Sequence, residues 1–335
     1  MTTKTILITG ISGFVGGHYS SFLCNTRKDW TIHGISRSKP SWDYLPDKDT
    51  ILESINFHQG NLLDEKKTAE LIKEINPDYI LHLAAFSSVA ESWQEPQLAF
   101  LNNTNAFLNI VESVRLNNTQ CRILSVGSSE EYGIVSPDDL PLKEDCNNRP
   151  SNPYAVARVA QEDLANIYTR GYGLDICCTR SFNHIGPGQQ SKFVISSIAK
   201  QFAEIIIKKT RPVIVIGNGT IIRDFIDIDD VISAYDSIFV NGHKGEIYNV
   251  CSGTGYTIAR IVQMYSDLLN VPVQIKQQNN LIRPIDNPTL YGDYEKLLNH
   301  SGWKPHVSLD TSLNKIFEYW YTKLKQETNE SPDIL

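Results

Sequence analysis

The sequence predicts an α/β protein built on a doubly wound parallel sheet, and two observations carry that prediction. Short β-branched runs alternate with longer segments of helical periodicity across the first half of the chain. The first short run leads directly into a glycine-rich turn and then into a helical pattern. Because parallel strands need crossover connections, this alternation favours one sheet with helices on both faces.

Five short runs in the first half are predicted as strands because β-branched and other apolar residues dominate them. They are Thr5–Thr9, Thr31–Ile35, Ile55–Gln59, Tyr79–Leu83 and Arg122–Val126. Three helices are predicted between them, over Phe14–Cys24, Glu65–Ile75 and Pro96–Leu116. This order is typical of a Rossmann-type sheet.

The pattern changes after about residue 180. A glycine- and proline-rich stretch, Ile185–Gln189, precedes a helix and a further strand at Val213–Ile216. We therefore predict a Rossmann domain over 1–180 that also carries the catalytic residues. A smaller α/β substrate-binding lobe should cover 181–325, with some segments able to return to the first domain, and a frayed polar tail should cover 326–335.

Composition excludes several classes of protein. The chain has 335 residues, of which 41% are apolar and 21% charged, as in ordinary globular proteins. A net charge of -7 disfavours nucleic acid and anionic membranes as partners. No signal peptide and no membrane-spanning stretch is predicted, so we expect a cytoplasmic protein. Six cysteines without a C-x-x-C pair predict reduced thiols and no metal site.

The glycine-rich turn after the first strand predicts a dinucleotide site. Gly10, Gly13 and Gly16 permit a tight turn that brings backbone N–H groups and the helix N-terminus against a pyrophosphate. Phe14 and Val15 begin that helix and are included in the predicted site. The strand–turn–helix context makes a merely structural turn the weaker interpretation.

The end of the second strand predicts NADP as the cofactor. An acidic residue expected there for NAD is missing, and the chain instead has Ser36, Arg37 and Ser38. A guanidinium suits a 2′-phosphate, and the neighbouring hydroxyls can donate to the same oxygens. A solvated surface arginine is the alternative interpretation.

Together these motifs make the sequence resemble the extended short-chain dehydrogenases/reductases. The resemblance implies that Asn61 and Leu62 lie near the adenine, with Asn61 in place of the more usual Asp. It also implies that the segment His82–Ala85 lines the cofactor, with Leu83, Ala84 and Ala85 as the contacting residues. Asn103 is implied to brace the central strands.

Ser128, Tyr154 and Arg158 form the predicted catalytic set. Pro153 suits the first turn of a helix, so Tyr154 and Arg158 share one helix face. Reduction of a ketone needs a proton donor, and a tyrosine beside a fixed positive charge can be that acid. Taken alone, such a pair is more often a surface feature, but the resemblance favours catalysis, with Ser128 bonding the same substrate oxygen.

Arg158 departs from the family pattern Y-x-x-x-K. Arginine keeps the charge and can bond a ribose diol, but it cannot release its proton. Residue 158 can therefore still stabilise Tyr154 electrostatically, but it cannot take part in a proton relay. A protein that binds NADP and a nucleotide sugar but turns over poorly, as a sensor or partner subunit, therefore stays an alternative.

Glu130 leaves two reactions open. In sugar-nucleotide 4,6-dehydratases of the superfamily, the matching residue is the base that removes a proton beside the C4 ketone. Burial could raise the pKa of a glutamate enough for that role. The alternative is a carboxylate that only positions sugar hydroxyls.

Several strings of the chain resemble GDP-4-keto-6-deoxy-D-mannose reductases across about residues 4–320: Ser128–Gly133, Arg180–Gln189, Arg223–Phe225 and Tyr248–Gly253. The resemblance implies NADPH-dependent reduction of the C4 ketone of a GDP-linked 4-keto-6-deoxy sugar, a hexose or heptose, in a homodimer. The substrate-binding residues it implies are Ser87, Ser128, Ser129, Glu130, Asn183, Gly188, Arg223 and Arg283. A GDP-mannose-type 4,6-dehydratase is the second reading.

Arg223 and Arg283 are the predicted phosphate contacts, because a guanidinium binds phosphate in a bidentate fork. Structural ion pairs are the alternative, since Asp224 follows Arg223 and Asp286 lies near Arg283.

Overall fold

A computed structural model describes residues 3–281 and 285–329 of the chain. Its strands are β1 Thr5–Thr9, β2 Thr31–Ser36, β3 Ile55–Gln59, β4 Tyr79–His82, β5 Arg122–Val126, β6 Asp175–Ser181, β7 Asn183–Ile185, β8 Val213–Ile216, β9 Ile222–Asp227, β10 Ile247–Val250, β11 Gly255–Thr257, β12 Gln274–Gln277 and β13 Thr289–Leu290. The five strands predicted in the first half and the strand at Val213–Ile216 are confirmed to within one residue.

The α-helices are α1 Phe14–Thr26, α2 Lys48–Glu53, α3 Glu65–Ile75, α4 Val89–Ser92, α5 Pro96–Phe100, α6 Ala106–Leu116, α7 Pro153–Tyr172, α8 Val194–Lys208, α9 Ile228–Asn241, α10 Ile258–Leu269, α11 Glu295–Ser301 and α12 Leu309–Asn329. Short 3₁₀ turns cover Ser129–Tyr132, Pro137–Asp139 and Asn279–Leu281. Among the described residues, no helix is long and apolar enough to cross a bilayer.

The central sheet has seven strands in the order β10-β6-β5-β4-β1-β2-β3, and all neighbours in it are parallel. The predicted Rossmann-type doubly wound sheet is therefore confirmed. The chain reverses its direction of strand addition between β1 and β4. In such sheets a crevice opens at this point, beyond the carboxyl ends of the strands, and ligands bind there.

Alternating residues of β1 supply both faces of the sheet. Ile6 and Ile8 pack into the core beneath α1 and α9, whereas Leu7 packs into the core beneath α3 and α6. Because neighbouring strand residues point to opposite faces, a strand covered on both sides must be apolar throughout. That requirement explains the uninterrupted Ile6–Ile8 run.

A second lobe has its own core, formed mainly by α8, α10 and α12. Its sheet joins β7, β9, β11 and β13, and β8 pairs with β12. Several elements of the second half return to the central sheet: β10 extends it beside β6, α9 packs against α1, and α11 packs against β10. A domain boundary near residue 180 stays a prediction.

Two predictions about helices need correction. The segment Pro96–Leu116 is not one regular helix, because a π-helical turn at Leu101–Asn105 separates α5 from α6. The predicted frayed tail is also wrong at its start, since α12 continues through residues 326–329. Buried Leu324 anchors this last part, and the Thr328 hydroxyl donates to the Leu324 carbonyl oxygen at 2.8 Å. Residues 330–335 lie outside the described residues.

Candidate active site

A cleft of about 1240 Å³ opens at the carboxyl ends of the central strands, between the sheet and the second lobe. It brings together nearly all of the predicted site residues. Those lining it are Gly10, Gly13, Phe14, Val15, Gly16, Ser36, Arg37, Asn61, Leu62, Leu83, Ala84, Ala85, Ser87, Ser128, Ser129, Glu130, Tyr154, Arg158, Asn183, Gly188 and Arg223. Of the other two, Asn103 does not line the cleft and Arg283 lies outside the described residues.

The glycine turn forms one end of the cleft at the N-terminus of α1. Gly10 has a left-handed φ of +67°, and a Cβ there would lie 2.7 Å from the backbone nitrogen of Ala84. The N–H of Gly13, the N-cap of α1, donates to the Gly10 carbonyl at 2.9 Å. The turn thus leaves an open floor at the positive end of a helix, which suits a pyrophosphate.

The end of β2 presents an exposed guanidinium. The Arg37 side chain is exposed in the cleft and forms no hydrogen bond or ion pair with any described residue. The Ser36 hydroxyl instead donates to the carbonyl oxygen of Ser38 at 2.8 Å. Arg37 is therefore better placed than Ser36 to donate to a ligand phosphate.

The next strand ends continue this side of the cleft. Asn61 accepts the N–H of Leu63 on its Oδ1 at 3.1 Å, which leaves its amide N–H₂ without a described partner. Asn103 is fully buried in the π turn, where its Oδ1 accepts from the N–H of Phe86 at 2.9 Å and its Nδ2 donates to the Phe86 carbonyl at 3.3 Å. It braces the segment that follows β4 rather than touching the cleft.

Tyr154 and Arg158 lie at the base of the cleft on α7. The side chain of Asn152 caps this helix by accepting the N–H of Ala155 at 2.9 Å, and Pro153 occupies the first turn. One helical turn then separates Tyr154 from Arg158, whose Nε donates to the Tyr154 hydroxyl at 3.2 Å. The predicted convergence of phenol and cation is thus present in the fold.

Arg158 is buried and held by neutral groups. Its Nη1 donates to the carbonyl oxygen of Val126 and to Oε1 of Gln161, both at 2.8 Å. Gln161 in turn donates to the hydroxyl of Ser125 at 2.8 Å. No described carboxylate pairs with this guanidinium, so its charge is available to Tyr154.

The turn after β5 places Ser128 and Glu130 in the same cleft. Ser128 is the N-cap of the 3₁₀ turn Ser129–Tyr132, and its Oγ accepts the N–H of Glu130 at 3.2 Å. Glu130 Oε2 accepts from the side-chain amide of Asn152 at 3.0 Å. This contact ties the turn to the start of α7, so the candidate serine, carboxylate and tyrosine share one rigid support.

The predicted substrate residues surround the other end of the cleft. Ser87 is exposed there, Ser129 is buried, and Asn183 donates to the carbonyl oxygen of Asp224 at 2.8 Å. Gly188 has a φ of +90°, and a Cβ on it would clash with the ring of Tyr44.

Arg223 is buried and forms an ion pair with Asp286, which is partly exposed. Its Nη2 is 2.5 Å from Oδ1 of Asp286, and its Nη1 donates to the carbonyl oxygens of Ile222 and Asn287. An ion pair was one of the two predicted roles, although its partner is Asp286 and not the adjacent Asp224. Asp224 instead accepts from Ser252 and the Gly253 N–H.

Burial shifts the pKa of several groups around the cleft, among them Asp224 and His82. It raises the pKa of Asp224 to about 6, despite the donors from Ser252 and Gly253 that favour its ionised form. It lowers the pKa of His82 to about 3. His82 is therefore a neutral imidazole, and its Nδ1 lies 2.9 Å from the Thr9 hydroxyl. His82 was the first residue of the predicted cofactor segment, but it is buried and does not line the cleft.

Sequence reasoning missed some cleft residues, among them Tyr44 and Lys192. The Tyr44 hydroxyl donates to the carbonyl oxygen of Phe14 at 3.0 Å, between the glycine turn and Gly188. Lys192 forms an ion pair with Glu91 at 3.0 Å, which joins the second lobe to α4. Neither residue belongs to a local motif, so no pattern in the sequence could have identified them. Among the described residues no cluster of His, Cys, Asp or Glu could hold a metal ion.

Comparison with known proteins agrees with this architecture. Residues 7–316 match the family described as GDP-mannose 4,6 dehydratase. A GDP-6-deoxy-D-mannose reductase from Pseudomonas aeruginosa is 30% identical, over 97% of this chain and 100% of the relative. A GDP-6-deoxy-D-talose 4-dehydrogenase from Aggregatibacter actinomycetemcomitans is 28% identical, over 94% and 96% of the two chains.

A solved structure gives the same result. The structure of RMD from Pseudomonas aeruginosa complexed with NADPH superposes with a TM-score of 0.82 at 30% identity, covering 96% of this chain and 98% of that chain. The resemblance to the extended short-chain dehydrogenases/reductases is therefore confirmed. The parallel sheet, the glycine turn and the Tyr154–Arg158 pair all agree with the family match over residues 7–316. The chain therefore belongs to the GDP-mannose 4,6 dehydratase family of these oxidoreductases.

Proposed function

We propose that the protein uses NADPH to reduce the C4 ketone of a GDP-linked 4-keto-6-deoxy sugar. The observation that carries this proposal is the Tyr154–Arg158 hydrogen bond at the base of a cleft whose far end is a glycine turn. The family match and the similarity to a GDP-6-deoxy-D-mannose reductase support the same reaction.

The cleft fits a phosphorylated dinucleotide. The Gly10 turn leaves no room for a Cβ, the α1 N-terminus presents backbone N–H groups, and Arg37 offers an unpaired guanidinium for a 2′-phosphate. Asn61, Leu62 and the Leu83–Ala85 segment would line the rest of the cofactor. When bound, NADPH supplies the hydride.

The chain's own residues supply the proton and the charge. Tyr154 donates its phenolic proton to the ketone oxygen as that oxygen becomes an alkoxide, and Ser128 donates a hydrogen bond to the same oxygen. Arg158 stabilises the phenolate that Tyr154 leaves behind. Because a guanidinium keeps its proton, Tyr154 must be reprotonated from another source, such as solvent.

The substrate diphosphate and sugar would lie towards the second lobe. Asn183, Gly188 and Ser87 line that end of the cleft, and Arg223 borders it. Since Arg223 already pairs with Asp286, its contribution to a phosphate would be shared with that carboxylate. Ser129 and Glu130 would contact the sugar beside Ser128.

A GDP-mannose-type 4,6-dehydratase is the second candidate, and Glu130 is the observation that favours it. Its carboxylate reaches the cleft beside Ser128 and is oriented by Asn152, as a base at C5 would need to be. A poorly active binding protein is the third candidate, and it depends on the replacement of the usual lysine by Arg158.

We also propose a homodimer in a cytoplasmic location. α5 and α7 pack side by side. These two helices and the π turn that follows α5 expose apolar side chains that are at least 40% accessible: Leu98, Phe100, Leu101, Val156 and Ile167. Such a face suits a two-fold contact. All six cysteines lie in described parts of the chain as free thiols, which supports a reducing compartment.

One experiment separates the three candidates. Purified protein is incubated with GDP-4-keto-6-deoxymannose and NADPH, and separately with GDP-mannose, while absorbance follows the cofactor and NMR identifies the sugar. We expect one NADPH oxidised per ketone reduced and no reaction of GDP-mannose. Conversion of GDP-mannose without net cofactor consumption would establish the dehydratase, and no turnover of either sugar would support the binding protein.

A further inference from the structure

A buried group of two carboxyls and one guanidinium lies behind Ser128, and the proposed reaction makes no use of it. Glu131 is 0% exposed, Glu162 6% and Arg180 4%. Arg180 donates to both carboxyl oxygens of Glu162, at 3.0 and 2.8 Å, but its Nε stays 3.9 Å from Oε2 of Glu131. The guanidinium therefore donates hydrogen bonds to the carboxylate of Glu162 and not to that of Glu131.

The charges of this group do not balance if both carboxyls are ionised. Two carboxylates against one guanidinium would leave a net negative charge in the interior, which is costly. Glu162 faces Glu131 from α7, and Arg180 and Cys178 face it from β6. Burial and the charge of Glu162 both raise the pKa of Glu131 well above its usual value, and burial keeps the Cys178 thiol neutral.

Glu131 contacts the candidate active site directly. Its Oε1 accepts the backbone N–H of Ser128 at 2.6 Å, so it fixes the residue from which the Ser128 hydroxyl projects. As a carboxylate, its Oε2 would be buried without a hydrogen-bond donor among the described residues. A proton on that oxygen would instead make it a donor towards Glu162.

We propose that Glu131 is a positioning residue that stays a neutral carboxylic acid, holding the main chain of Ser128 with one oxygen and donating its proton to Glu162 from the other. The proposal rests on the proposed function, because Ser128 is the group positioned. Neutrality matters chemically, since the ketone oxygen beside Ser128 gains negative charge during reduction. An ionised Glu131 behind it would oppose that charge.

Infrared spectroscopy tests the protonation state without any substrate. Protein carrying ¹³C-labelled glutamate should show at pH 7 the C=O stretch of a protonated carboxylic acid, separate from the carboxylate bands. We expect Glu131→Gln to remove that signal. Glu112→Gln is the matched control, because Glu112 pairs with Arg115, which holds its pKa low, and its loss should leave the signal unchanged.

Kinetics tests the positioning. Glu131→Gln keeps a neutral acceptor for the Ser128 N–H and a donor for Glu162, so kcat should fall no more than about threefold. Glu131→Leu loses the acceptor, and kcat should fall at least about tenfold with little change in KM. Thermal unfolding of both variants checks that they are folded at the assay temperature.

Two results would overturn the proposal: no protonated-acid signal from Glu131 in the wild-type protein, or a Gln variant as impaired as the Leu variant. The infrared result is obtained on the wild type and does not depend on any variant folding. If the wild-type protein reduced no ketone, the proposed function would fail, while the infrared result would still decide whether Glu131 is neutral.

Discussion

The Nε of Arg158 donates to the hydroxyl of Tyr154 across 3.2 Å, from one turn further along the same helix. The other bonds of Arg158 reach a carbonyl and an amide oxygen, which orient the guanidinium without neutralising it. A lysine in this position could exchange a proton with its surroundings. Arg158 instead provides a permanent charge, so its contribution to Tyr154 is electrostatic.

Arg158→Ala should therefore slow reduction and displace the pH–rate profile to higher pH, because the phenolate loses its neighbouring cation. Arg158→Lys keeps the charge and should retain most of the activity. Initial rates between pH 5 and 10 with saturating cofactor measure both effects. An alanine variant with the wild-type rate and profile would separate Tyr154 from this residue.

Arg37→Ala should weaken NADPH binding while leaving NADH binding nearly unchanged. A charge-assisted contact with the 2′-phosphate contributes roughly 1.5–3 kcal/mol, so Kd for NADPH should rise about tenfold or more. Fluorescence titration with each cofactor measures the change. Equal losses for the two cofactors would contradict the assignment of Arg37, and Lys39→Ala, in the exposed chain that follows β2, is the control.

Glu130→Gln distinguishes a positioning carboxylate from a base. If Glu130 only orients a sugar hydroxyl, kcat should fall by about tenfold to thirtyfold at most, corresponding to roughly 1–2 kcal/mol. A general base typically contributes about 10²–10⁴-fold, so a dehydratase would lose nearly all activity. Tyr154→Phe should be severely impaired in either enzyme and serves as the reference. We expect the modest loss for Glu130→Gln, measured as NADPH oxidation with the keto sugar.

The exposed face of α5 and α7 should hold two copies of the chain together. Light scattering at micromolar concentration should give twice the monomer mass, and Ile167→Glu should shift it towards the monomer by placing a charge in the contact. Val240→Glu is the matched control, because Val240 is equally exposed but lies on α9. A monomeric wild-type protein would refute the dimer.

His82 should make the fold sensitive to acid. Burial lowers its folded pKa to about 3, so the unfolded chain, with a pKa near 6.5, binds the additional proton. The stability contribution is complete above pH 6.5 and is lost as the pH falls from there towards 3. Between pH 7 and 5 it should decrease by about 2 kcal/mol.

Urea unfolding of His82→Asn at the two pH values measures that contribution. The variant should show a pH dependence smaller by this amount than the wild type. His243→Asn, which changes an exposed histidine, is the control. An identical dependence in His82→Asn would show that His82 does not take up the proton.

Local chemistry made the cofactor end and the catalytic helix predictable. Gly10 needs a left-handed backbone, and the spacing of Tyr154 and Arg158 fixes their shared face whatever surrounds them. Arg223 was harder, because its partner Asp286 is distant in sequence and only packing brings the two together. Lys192 and Tyr44 were missed for the same reason: both lie in loops, and only packing brings them to the cleft. The role proposed for Glu131 also depends on β6 and α7, which no local pattern relates to the turn after β5.

The π turn at Leu101–Asn105 has a consequence for the helices on either side of it. A π turn accommodates one residue more than an α-helical turn, so it changes the rotational phase between α5 and α6. With this offset, Asn103 reaches Phe86 while Phe107 and Ile110 still face the sheet. Regular α-helical winding of the same residues, without the π turn, would rotate one set of side chains by about 100° relative to the other. The π turn therefore lets α5 keep its apolar side chains exposed while the apolar side chains of α6 remain in the core.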